Sequence, residues 1–114
     1  MYNNLIIFRN ELKMKSIPKY KLIGIVTEML FSKELYKKNT DIVPFLNEVF
    51  DITFKFYILK SRTMIVAKVC RLINNLESTK DIQKKLYKYI SERINHLKNE
   101  SNDKKKNDFD GWLY

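Results

Sequence analysis

The sequence has two glycines, two prolines and one cysteine in 114 residues, and each scarcity removes a class of structure. Sheets joined by tight hairpins need turn residues that tolerate positive φ, so a chain this poor in glycine and proline predicts helices with short connections. A single cysteine, Cys70, closes no disulfide within the chain, and its place in an apolar run reads as a small core side chain rather than a nucleophile. Long hydrophobic runs are missing as well. The apolar stretches are broken by Glu28, Lys55, Lys60 and Lys68, short of the ~20 uncharged residues a membrane-spanning helix requires. The opening "MYNNLIIFRNELK" offers only Leu5 to Phe8 before Arg9 and Glu11, which fails as a signal peptide. Together these absences imply the cytosol.

Chemistry-bearing clusters are equally scarce. His96 is the only histidine, set among Asn95 and Lys98, and reads as a surface residue. A nucleophile relay needs histidine near Cys70 or a serine, and the sequence suggests no such meeting. No Cys/His cluster of zinc-binding spacing is present, nor the repeated Glu-x-x-His pattern of di-iron bundles. The expectation is a non-enzyme without metal, cofactor or small-molecule substrate.

What the chain does contain is apolar mass and positive charge. It is 45% hydrophobic, with seven Phe and seven Tyr, enough to build one core at single-domain length. Lys and Arg number 22 against 13 Asp and Glu, a net charge of +9, which invites a nucleic-acid partner. The excess is evenly spread, however. Residues 1–60 carry 10 basic and 6 acidic groups, net +4, and residues 61–114 carry 12 and 7, net +5. With no reading element beside the general attraction, nucleic acid is the weaker partner class.

The periodic segments predict four helices. The first opens at Ser16, with Pro18 in its first turn, and runs to about Lys38 on a stripe of Tyr20, Ile23, Thr27, Leu30, Phe31 and Leu35. Gly24 inside it costs about 1 kcal/mol relative to alanine, offset if another helix crosses closely there. The second spans about Ile42 to Leu59, with Pro44 in its first turn; the β-branched and aromatic residues of "DITFKFYIL" also suit a strand. Ser61 reads as the N-cap of a third helix, Thr63 to Leu76, with Val66, Val69, Cys70, Ile73 and Leu76 inward and Lys68 and Arg71 opposite. A fusion of the second and third segments into one helix is also compatible. A phosphate site at this helix start, with Arg62 as the anchor, is the weaker reading because phosphate-cradling glycines are missing. The fourth helix runs from about Lys80 to Lys98, with Ile82, Leu86, Tyr89, Ile90, Arg93 and Leu97 inward.

Four helices on short loops give an all-α fold, an antiparallel four-helix bundle over residues 16–100. Residues 1–15 form an N-terminal extension, and residues 101–114 a polar linker with an aromatic tail. The tail concentrates Phe109, Trp112, Leu113 and Tyr114. It covers a groove of the bundle, recognises a partner, or does both.

The stretch "IVPFLNEVFDITFKFYILKSRTMIVAKVCRLI", residues 42 to 73, resembles the central helices of immunity proteins that Gram-positive bacteria make against pediocin-like (class IIa) bacteriocins. "YILKSRTMIVAKV" is its most specific part, and "GWLY" is similar to the Trp-containing extensions with which such small basic proteins often end. The resemblance implies an antiparallel four-helix bundle acting at the inner face of the membrane. There it would engage the mannose phosphotransferase permease that serves as bacteriocin receptor and block the resulting pore. In that family the C-terminal half and tail set which bacteriocin is resisted. Carried onto this chain, the partner-binding residues are the exposed side of the fourth helix with Phe109, Trp112 and Tyr114. Arg62, Lys68 and Arg71 come second, chosen for charge and position. A small basic DNA-binding regulator and a helical interaction protein are the alternatives.

Overall fold

The structure is a computed structural model that describes residues 1–113, with side chains described from Met1 to Glu100. Those residues form an all-helical fold with no strand among them. The elements are α1 (Tyr2–Leu12), α2 (Lys19–Phe31), a 3-10 turn (Asn39–Ile42), α3 (Val43–Phe45), a π-turn (Leu46–Phe50), α4 (Phe56–Leu59), α5 (Arg62–Asn75) and α6 (Lys80–Leu113). Helix α1 packs on α6, and α2 on α5.

The N-terminal extension is therefore a helix of the core. Leu5, Phe8 and Leu12, spaced by three and four, are buried against the rest of the protein. At its end the carbonyls that lack an intrahelical partner are taken by α6: Gln83 Nε2 donates to Leu12 O at 3.0 Å and to Met14 O at 2.8 Å. This sets the end of α1 beside the start of α6. In the second pair, Lys19 Nζ donates to Asn74 O at 3.2 Å and Thr27 Oγ1 lies 3.3 Å from Cys70 Sγ, so α2 and α5 run antiparallel. Cys70 is half-buried on that contact.

Helix α2 begins at Lys19, with Pro18 as its extended N-cap, rather than at Ser16. Proline disfavours helical geometry at the residue before it, and Ile17 instead drops into the core. The helix also ends early. Ser32 is extended and its hydroxyl accepts from Leu35 N at 3.3 Å, a local turn that competes with helix continuation. The buried face is Leu22, Ile25, Val26, Met29 and Leu30, so Tyr20 and Phe31 from the expected stripe are exposed instead. No helix crosses at Gly24: a Cβ placed there would meet nothing within 4 Å.

The expected second helix, Ile42 to Leu59, is interrupted. Phe45, Leu46, Val49 and Phe50 all face inward, and the π-turn then closes on Asp51 in the left-handed region at φ 54°. Asp51 N donates to Asn47 O and Ile52 N to Leu46 O, satisfying the last carbonyls. Ile52, Thr53 and Phe54 follow without regular structure, as crowded β-branched and aromatic side chains lose rotamer freedom in a helix. Neither a strand nor fusion with α5 occurs. The third segment matches the expectation closely: Ser61 caps α5 by accepting from Met64 N at 3.2 Å, and Ile65, Val66, Val69 and Ile73 are buried.

Helix α6 starts at Lys80 as expected, and Leu86, Ile90 and Ile94 form its buried line. Its bounds take in residues 101–108, which the sequence reads as a linker. The side chains of Phe109 and Trp112, and the whole of Tyr114, lie outside the described residues.

At the centre Tyr36 is fully buried, its hydroxyl 2.7 Å from that of Tyr89, with Phe45 packed against both rings at centroid distances of 6.0 and 4.9 Å. Burial pushes the Tyr36 phenol far above its ordinary value, and the neighbouring Tyr89 adds to the rise. Burial raises Tyr89 too, against the lowering effect of the Tyr36 hydrogen bond and Arg93.

Two outcomes follow from these positions. Gly24→Ala is expected to stabilise the protein by about 0.5–1 kcal/mol, read as a higher urea midpoint at unchanged slope. Because both phenols keep their protons in the folded state, stability is unaffected below the unfolded phenol value near 10 and falls as pH rises above it. Tyr36→Phe is expected to flatten that alkaline loss in urea melts between about pH 9 and 11.5. At neutral pH it should cost about 1 kcal/mol, because Tyr89 loses its partner.

Candidate functional site

Two surfaces stand out, and each is built by a different helix pair. The first lies on α4 and α5. Helix α4 is one turn held against α5, with Ile58 buried, which leaves Phe56 and Tyr57 facing out at 72% and 61% exposure. The Lys60 ammonium sits 5.2 Å from the Phe56 ring centroid, a cation–π contact on an open surface. On α5, Met64, Lys68 and Arg71 are exposed and follow one another at steps of four and three, so they form one stripe. Exposed aromatic rings, methionine and arginine are enriched at protein-binding surfaces, and burying them would remove several large apolar groups from water.

Arg62 does not join that stripe. It is half-buried, with Nε donating to Asn39 Oδ1 at 2.9 Å and Nη2 to Tyr36 O at 2.7 Å. Asn39 in turn donates to Leu59 O, so Arg62 ties the 36–39 loop to the start of α5. Of the three basic residues singled out in the sequence, Lys68 and Arg71 share the exposed face and Arg62 points inward. At the start of α5 the Ser61 hydroxyl accepts from Met64 N, as the cap reading expects. His96 is exposed, with Nε2 3.1 Å from Glu100 Oε1, a solvent-facing pair that adds little to stability.

The second surface is a cavity of about 460 Å³ where α1 ends and α6 begins. It is lined by Leu12, Lys13, Met14 and Lys15 from one side, and by Lys80, Gln83, Lys84 and Tyr87 from the other. None of these is acidic. The sequence does not disclose it, because residues 1–15 read as an extension outside the bundle. Its available signal was Gln83, a polar residue in the line of Leu86, Ile90 and Ile94 that is nonetheless 7% exposed. Such a residue is retained inside only where its amide has partners, here the two carbonyls of α1.

Among the described residues no three His, Cys, Asp or Glu side chains gather as a metal site, and no helix is long and apolar enough to cross a membrane. No protein-family model, curated protein or solved structure matches the chain.

Arg62→Ala is expected to destabilise by about 2–3 kcal/mol, since it leaves the Tyr36 carbonyl and Asn39 Oδ1 without their donor in a partly buried position. Lys68→Ala and Arg71→Ala should stay within about 0.5 kcal/mol. Chemical denaturation of the three variants separates the inward arginine from the outward pair.

Proposed function

We propose that this chain is a bacteriocin immunity protein, which protects the producing cell from inside by binding the mannose permease–bacteriocin complex at the cytoplasmic face and blocking the pore. One observation carries the reading. The segment that resembles the class IIa immunity proteins, residues 42 to 73, is also the segment that exposes Phe56 and Tyr57 with Lys60, and Met64 in one stripe with Lys68 and Arg71. A resemblance and an unspent aromatic–basic surface thus coincide in one stretch, as a partner-binding role requires.

The helical fold supports the same reading. The antiparallel four-helix bundle that the family implies would be made here by α1 with α6 and α2 with α5, so that α1 and not the interrupted 42–59 segment supplies the fourth helix. Phe109, Trp112 and Tyr114 complete the proposal as the elements that choose the bacteriocin. Lys68 and Arg71 contribute charge on α5, while Arg62 supports the surface from beneath.

Expression of the chain in a bacteriocin-sensitive lactic acid bacterium should raise survival against one or a few members of a panel of pediocin-like peptides. Truncation after Asn107, Trp112→Ala, and a Lys68→Glu/Arg71→Glu pair should each weaken or redirect protection while circular dichroism stays helical. Sequence-preferring, salt-sensitive DNA binding with no protection would instead support the regulator.

A further inference from the structure

The cavity between α1 and α6 is independent of the immunity reading and of the surface on α5. Lys13, Lys15, Lys80 and Lys84 line it together, and no described lining residue balances their charge. Four exposed lysines bordering one hollow raise a local positive potential that an anion would relieve. The hollow is also shaped by fixed structure. Gln83 is buried in its wall and pins the backbone of Leu12 and Met14 to α6, which holds Lys13 between those two anchored residues. Beside the lysines and Gln83 the wall is apolar, from Leu12, Met14 and the half-buried Tyr87. A volume of about 460 Å³ falls within the range of small-molecule sites.

We propose that this cavity binds an amphiphile with a single phosphate-type head, the head lying among the four lysines and the apolar chain lying over Met14 and Tyr87. Lysine suits such a head as a mobile point charge, and the apolar wall rewards a ligand that inorganic phosphate cannot imitate. The same chemistry is offered by a free alkyl phosphate and by the head of an acidic phospholipid.

The test is calorimetric titration of the full chain with dodecyl phosphate below its micellar concentration. One saturable site is expected, with thermal stability rising as the ligand is added. Lys80→Glu/Lys84→Glu should weaken binding by about tenfold or more, as loss of two close charges predicts. Lys33→Glu/Lys37→Glu makes the same change of net charge in the turn after α2 and should leave affinity within about twofold. Tyr87→Ala should also weaken binding, and inorganic phosphate should compete only poorly. Absence of saturation, equal weakening by both charge-reversed pairs, or inorganic phosphate binding as well as dodecyl phosphate would each overturn the proposal. Phosphatidylcholine vesicles containing phosphatidic acid distinguish the sources. Cosedimentation abolished by Lys80→Glu/Lys84→Glu supports a lipid head, and dodecyl phosphate binding without cosedimentation supports a free amphiphile.

Discussion

Tyr36 is where the separate helices are tied into one body. Its hydroxyl meets Tyr89 on α6, its carbonyl accepts from Arg62 on α5, and the preceding carbonyl of Leu35 accepts from Arg93 Nη2 at 2.9 Å. The Arg93 guanidinium also lies 5.9 Å from the Tyr36 ring centroid. A loop that leaves α2 after Phe31 would normally stay on the surface, because its carbonyls need water. Here two arginines from two helices take the place of that water, and the aromatic ring can be fully buried. Removing either partner would leave a buried polar group unpaired, which costs more than the bond itself contributes.

With Tyr36 inside, the chain from Asn39 to Leu59 has to wrap around it rather than run past it as one straight helix. Phe45 packs between Tyr36 and Tyr89, Phe50 packs on Phe45 at 5.7 Å, and the π-turn with its left-handed Asp51 ends the inward run. The backbone then emerges at the surface with Phe56 and Tyr57 outward. Core packing on one side of the break and exposure on the other are two faces of the same constraint.

Much of this was legible in the residues and some was not. The scarcity of glycine and proline announced helices, and the Ser61 cap with its stripe located α5 because capping chemistry and periodicity agree there. The start of α6 was readable for the same reason. The break at Asp51 was not: aspartate tolerates the left-handed region, but the apolar period runs on past it, and only the packing of the aromatic cluster around Phe45 marks where the inward run stops. Helix α1 was missed although Leu5, Phe8 and Leu12 carry the right spacing, because a stripe that short gains its meaning from α6. The cavity depended on that same pairing. Its lysines are scattered at 13, 15, 80 and 84, and only the fold brings them together.

The bond from Gln83 to Leu12 joins groups 71 positions apart in the chain. During synthesis at roughly 5–20 residues per second, Leu12 is made about 4–14 s before the glutamine that anchors it. Over that interval Leu5, Phe8 and Leu12 lack the α6 surface against which their helix packs. Helix α1 thus docks late in synthesis, after every segment between it and Gln83 has been made.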